Sequence, residues 1–156
     1  RVMTNLNIST CQGTTVIYAN NKIKNIDKNR IENFWGAVGS VHWLNSESKI
    51  DKFTALIGSG PAYFLYFCES LVKVYKGFGL TEKDAAIYVW ELLLGTAFLA
   101  NPVMGKSFRQ WIRMIASKGG TTQEALNVLE KGKFTSILDK SIKAAYKKAK
   151  SISKKN

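Results

Sequence analysis

Two consecutive stretches of this chain are apolar on every side of a helix, and that restricts its fold more than any other feature. The first opens at Pro61 and carries Tyr63, Phe64, Leu65, Tyr66, Phe67, Leu71, Val72 and Val74 before Gly77-Phe78-Gly79 breaks it. Proline suits a first helical turn, where a missing N–H costs nothing. The second follows Thr81, an N-cap residue with Asp84 in the favourable third position, and runs to about Ala100, before Pro102. It carries Ile87, Val89, Trp90, Leu92, Leu93, Leu94, Phe98 and Leu99. A helix without a polar face is buried in a large core or lies in a membrane. Spanning a bilayer takes about 20 predominantly apolar residues, and Glu69 and Glu91 interrupt the two runs. Burial between protein surfaces is therefore expected, not a membrane. A chain of 156 residues has little interior for two such helices. Homodimerisation through them is the economical solution, with higher assembly left open.

The rest of the chain frames these helices. Thr14 to Tyr18 is β-branched and aromatic, which suits a strand. Asp27 opens a segment with Ile31, Phe34, Trp35 and Val38 at helical spacing, stopped by Gly39, and Val41 to Leu44 reads as another strand. Ser46 can cap a helix through Leu56, which Gly58-Ser59-Gly60-Pro61 is expected to end. Beyond Pro102, helices are expected over Ser107–Ala116, Thr122–Glu130 and Phe134–Ser151. The chain is thus mainly α: a small β-α-β piece in residues 1–45, then an all-α region in residues 46–156.

Several function classes fall away. Cys11 and Cys68 form no CxxC pair, which points to a reducing, cytoplasmic setting and away from a zinc site. One histidine, His42, is too few for most metal or triad chemistry, and no metal is expected. The net charge of +12 includes the tail Lys147, Lys148, Lys150, Lys154 and Lys155. Lysines suit a solvated helix C-terminus, so nucleic acid is not expected as a partner. A dinucleotide fold needs a strand, a Gly-x-Gly-x-x-Gly turn and a helix. Gly58-Ser59-Gly60 leads into Pro61, follows a helical pattern and lacks the third glycine, so this chain alone is not expected to hold a nicotinamide cofactor.

The chemically informative stretch is Ser117-Lys118-Gly119-Gly120-Thr121-Thr122, which feeds the helix Gln123 to Glu130. Free N–H groups at a helix start favour an anion, glycines admit close backbone approach, and two threonine hydroxyls stand ready as partners. An ordinary threonine-capped helix has the same spacing. Four ordered blocks extend the pattern: Arg1 to Asn5 (RVMTN), Asp51 to Tyr63 (DKFTALIGSGPAY), Gly77 to Ala85 (GFGLTEKDA) and Ile115 to Glu130. Together they resemble pyrroline-5-carboxylate reductases over essentially the whole chain, though over only somewhat more than half of such an enzyme. Lys118 stands where that family usually has Pro, Leu6-Asn7 where it has Thr-Pro, and Ile57 where it has Ser.

The resemblance implies that the β-α-β piece is a remnant of a Rossmann-type nucleotide domain, and the helical region a dimerisation and substrate domain. It implies NADPH- or NADH-dependent reduction of pyrroline-5-carboxylate to proline, the last step of proline biosynthesis. Ser117, Gly119, Gly120, Thr121 and Thr122 would hold the substrate carboxylate, with the Thr122 hydroxyl hydrogen-bonding the ring nitrogen. Ser59, Gly60 and Pro61 would lie near the nicotinamide. The alternative is a truncated, non-catalytic dimerisation module.

Overall fold

The structure, a computed structural model, describes residues 1–154; Lys155 of the basic tail lies outside them. It divides into two compact units, Arg1–Phe64 with the chain from Asp139 onward, and Leu65–Leu138.

The first unit is built on a three-stranded sheet in the order β1 (Val2–Met3), β2 (Gly13–Ile17), β3 (Gly39–Trp43). β1 runs antiparallel to β2, and β2 parallel to β3 through the crossover helix α1 (Asn25–Gly36). The β-α-β expectation is met. Thr15, Val16 and Ile17 are buried, which is why this run of branched residues prefers a pleated, enclosed position. The buried Thr15 hydroxyl is satisfied by Thr4 Oγ1 at 2.9 Å, removing the cost of burying it unpaired. α1 ends at Gly36, earlier than the expected stop at Gly39, because Gly39 is already the first residue of β3 and pairs with Gly13. Gly39 has φ +150°, and a Cβ there would run into the backbone of Gly13.

The expected break at Gly58-Ser59-Gly60-Pro61 does not occur. A 3-10 turn (Glu47–Lys49), α2 (Ile50–Phe53), a wide π turn (Thr54–Gly58) and α3 (Gly60–Gly77) follow one another as nearly continuous helix. Ser46 has N-cap backbone angles, but its hydroxyl bonds Ser48 Oγ at 2.8 Å and not the helix backbone. In the π turn the Ser59 N–H and hydroxyl both donate to Thr54 O, at 3.0 and 3.3 Å. Pro61 has no N–H for Ile57 O, four residues back, and the Asn5 side chain donates to that carbonyl at 3.4 Å instead. With the orphaned acceptor met, Gly-Ser-Gly-Pro costs too little to end the helix.

Ile50 and Ala55 from this stretch join Val16 and Ile17 in the buried interior. Asp51, also buried, is paired with Arg1 Nη2 at 2.6 Å and accepts from Ser153 Oγ at 3.0 Å. That carboxylate ties the start of the chain and the end of α7 (Phe134–Ser153) to α2. By length and composition the continuous stretch Glu47–Gly77 would suffice to cross a bilayer. It nonetheless carries Asp51 in this ion pair, and Glu69 with Lys73 at 2.8 Å.

In the second unit, α4 (Glu82–Leu99), α5 (Phe108–Ile115) and α6 (Thr121–Lys131) follow α3 at the expected places. Gly79, at φ +95°, makes the turn after α3. Thr81 Oγ1 accepts from the Asp84 N–H at 3.1 Å as expected. Ser107 and Gln110 form a reciprocal capping box on α5. Among the described residues of this unit only Ala85 and Val89 are buried, while Tyr66, Trp90 and Phe98 are 70, 61 and 71% exposed. Both apolar helices form, and this chain by itself does not cover them.

Candidate functional site

The loop before α6 is a closed turn. The Gly120 N–H donates to Ser117 O at 3.0 Å, and Gly119 takes φ +73° while Lys118 keeps negative φ. These are the marks of a type II turn, with Lys118 at the position that favours proline and Gly119 at the one that needs glycine. The backbone therefore holds its shape with Lys118 in place. Gly120 is the N-cap of α6, and a Cβ on it would collide with Ser117 Oγ. Ser117, Gly119 and Gly120 thus belong to the turn, and Thr121 and Thr122 are the first two residues of α6.

The electrical character of that turn follows from what does not cap it. Thr81 and Ser107 put a side-chain oxygen on the first free amides of α4 and α5. Gly120 has no side chain, and no side-chain hydrogen bond caps α6. Its first backbone bond is Glu124 N–H to Gly120 O at 3.2 Å. The N–H groups of Thr121, Thr122 and Gln123 therefore point outward with the positive end of the helix dipole behind them. Thr122 is half-buried and Thr121 exposed. Lys118 is exposed and has no carboxylate within ion-pair distance among the described residues. Free amides at a helix N-terminus are the kind of group that can receive a planar anion such as a carboxylate.

Ser59, Gly60 and Pro61 form a separate group in the first unit. The Ser59 hydroxyl and N–H are committed to Thr54 O, Gly60 is buried, and Pro61 has no N–H. Nothing here can cradle a pyrophosphate, which needs several free amides. Asn5, whose part is invisible to periodicity, both supports this group through Ile57 O and accepts from the Thr14 N–H at 3.3 Å.

A three-stranded α/β piece followed by helices whose apolar residues are left exposed defines the fold class, a small mixed sheet and then an all-α region. The pyrroline-5-carboxylate reductase dimerisation model matches residues 47–152, and the chain belongs to that family. A pyrroline-5-carboxylate reductase of Coxiella burnetii is similar at 36% identity with a TM-score of 0.90, over 97% of this chain and 56% of that one. One from Plasmodium falciparum, solved with NADP bound, is 27% identical with a TM-score of 0.89, over 96% and 61%. The Vibrio alginolyticus reductase is 31% identical over 156 residues, 99% of this chain and 57% of its own length. The chain spans about half the length of the curated relatives it matches.

Proposed function

We propose that this chain supplies the substrate-carboxylate site and the subunit interface of a pyrroline-5-carboxylate reductase, which reduces a cyclic imine to L-proline. The observation that carries the site is the uncapped N-terminus of α6 behind the Ser117–Gly120 turn, at the place where the family resemblance puts it. Ser117 and the backbone N–H groups from Gly119 to Thr122 hold the carboxylate. The Thr122 hydroxyl, which makes no hydrogen bond within the described residues, donates to the ring nitrogen and orients the imine. A threonine hydroxyl is far too weak an acid for more than orientation at neutral pH. NADPH or NADH supplies the hydride when bound in the complete enzyme, and Ser59, Gly60 and Pro61 border the nicotinamide end. This chain alone is expected not to retain that cofactor, because among the described residues no strand leads through a Gly-x-Gly-x-x-Gly turn into a helix.

We assign residues 1–45 to the nucleotide-domain remnant and 46–156 to the dimerisation and substrate domain; the family match beginning at residue 47 supports that division. The exposed apolar residues of α3 and α4 support a homodimer. The free thiols of Cys11 and Cys68 accord with a cytoplasmic setting. A non-catalytic dimerisation module is the second reading, favoured by Lys118 and Ile57 at positions where the family usually has Pro and Ser.

Titration with tetrahydrofuran-2-carboxylate, which keeps the carboxylate and a ring acceptor, tests the site through thermal stability. Ligand at about 100 times its dissociation constant adds about 2.7 kcal/mol to a folded state that binds it. Stabilisation of the parent that disappears in Thr122→Ala is expected. Equal stabilisation of both removes Thr122 from the site. Catalytic turnover on adding a separate nucleotide-binding half would end the second reading.

A further inference from the structure

Away from the α6 turn, a solvent-open hollow of about 310 Å³ lies in the first unit, at the carboxyl ends of the parallel strands β2 and β3. Its floor is Trp43, the last residue of β3, with Leu44 and Ala19. Its wall is one face of α1: Asn25, Lys28, Asn29 and Glu32, at spacings of three and four residues. The volume is at the small end of ligand sites, about 300–1,000 Å³.

The charges in this hollow are arranged in a telling way. Lys28 and Glu32 are four residues apart on a helix, where opposite charges ordinarily pair. Here they do not. Glu32 Oε2 accepts from the Trp43 indole N–H at 2.9 Å, and Lys28 Nζ stands 5.9 Å from the centroid of the same ring. Both charges thus meet the indole and not each other, leaving the ammonium with no carboxylate and Glu32 Oε1 with no hydrogen-bond donor among the described residues. The carboxamides of Asn25 and Asn29 are likewise uncommitted. Asn25 and Lys28 lie at the N-terminal, positive end of α1 and Glu32 further along, so the helix dipole orders the site the same way as its side chains.

We propose that this hollow binds a small zwitterionic amino acid. Its carboxylate faces Lys28 and Asn25, its ammonium faces Glu32 Oε1 and Asn29, and its aliphatic part lies on Trp43 and Leu44. Separated opposite charges select against singly charged ligands.

The test follows the Trp43 indole N–H resonance, identified by its absence in Trp43→Phe, while the small L-amino acids are titrated one at a time. A saturable shift with at least one is expected; for L-alanine the matched single-charge ligands are propionate and ethylamine, each binding about tenfold more weakly. Lys28→Met and Glu32→Gln should each weaken amino-acid binding about three- to fivefold, as for exposed ion pairs. Thr122→Ala should leave it unchanged. No saturable shift with any amino acid, equal affinity for a singly charged ligand, or indifference to both charge substitutions overturns the proposal.

Discussion

Val16, Ile17, Ile50 and Ala55 are shut away from water by their own chain, whereas Tyr66, Trp90 and Phe98 are left largely open to it. The second region is the richer in apolar residues, and the two solve the burial problem differently. In the first, a sheet face and one helix enclose each other, and polar groups caught inside find partners, as Thr15 does with Thr4 and Asp51 with Arg1. In the second, α4 is apolar around its whole circumference and buries only Ala85 and Val89. Apolar area left in water gives up about 25 cal/mol per Å², so under the proposed homodimer the second region is expected to gain stability on association. The difference teaches that helices without a polar face specify an assembly, while alternation and branched residues specify an interior.

The comparison breaks most sharply at Trp90. On a free surface Trp90→Glu would be nearly neutral; beneath a second copy it places a charge in each half of the interface. A loss of about 3 kcal/mol or more per protomer is expected, read by sedimentation equilibrium as dissociation and by a melting temperature that depends on protein concentration. An unchanged dimer would remove α4 from the interface. Asp51→Asn probes the self-contained region. It removes the charge partner of Arg1 and should cost about 1–3 kcal/mol in urea unfolding, by an amount independent of protein concentration.

Smaller effects sharpen the contrast within the helical region. Lys133, between α6 and α7, is held at φ +55°, a conformation that disfavours side chains bearing a Cβ. Lys133→Gly should stabilise by about 0.5–1 kcal/mol, measurable by calorimetry. The least effect belongs to Glu82. Its hydrogen bond with the Lys76 ammonium, at 2.6 Å, and that ammonium's charge hold its carboxyl below the usual glutamate range. A lowered folded-state value contributes stability that is present above the unfolded value and lost as pH falls through the lowered one. Glu82→Gln should therefore flatten a slight, salt-sensitive loss of melting temperature below about pH 4.

Much of this was legible in the residues. A branched run gave β2, Val41 to Leu44 read as a strand where β3 lies, apolar spacing gave α1, and the Thr81-Asp84 pair located the start of α4. The glycine turn before α6 was visible as chemistry, and its type II geometry explains how Lys118 fits where proline is favoured. What stayed hidden was nonlocal. Gly58-Ser59-Gly60-Pro61 carries every local signal of a break, and the helix survives it through a π turn and an amide from Asn5, some fifty residues away. Periodicity cannot see such a partner. Nor could it show Trp43 meeting both Lys28 and Glu32, since the indole arrives from β3 and the charges from α1.

The apposition of Gly39 with Gly13 carries a consequence for how such sequences can change. The obstacle to a side chain at Gly39 is main chain, not another side chain. Trimming a neighbour offers no relief, so no second substitution can rescue the first. Most of a protein's interior can drift by paired exchanges, large for small and small for large. This contact has no such partner with which to exchange, and lineages descending from a chain like this one are expected to keep Gly39 long after its surroundings have been rewritten.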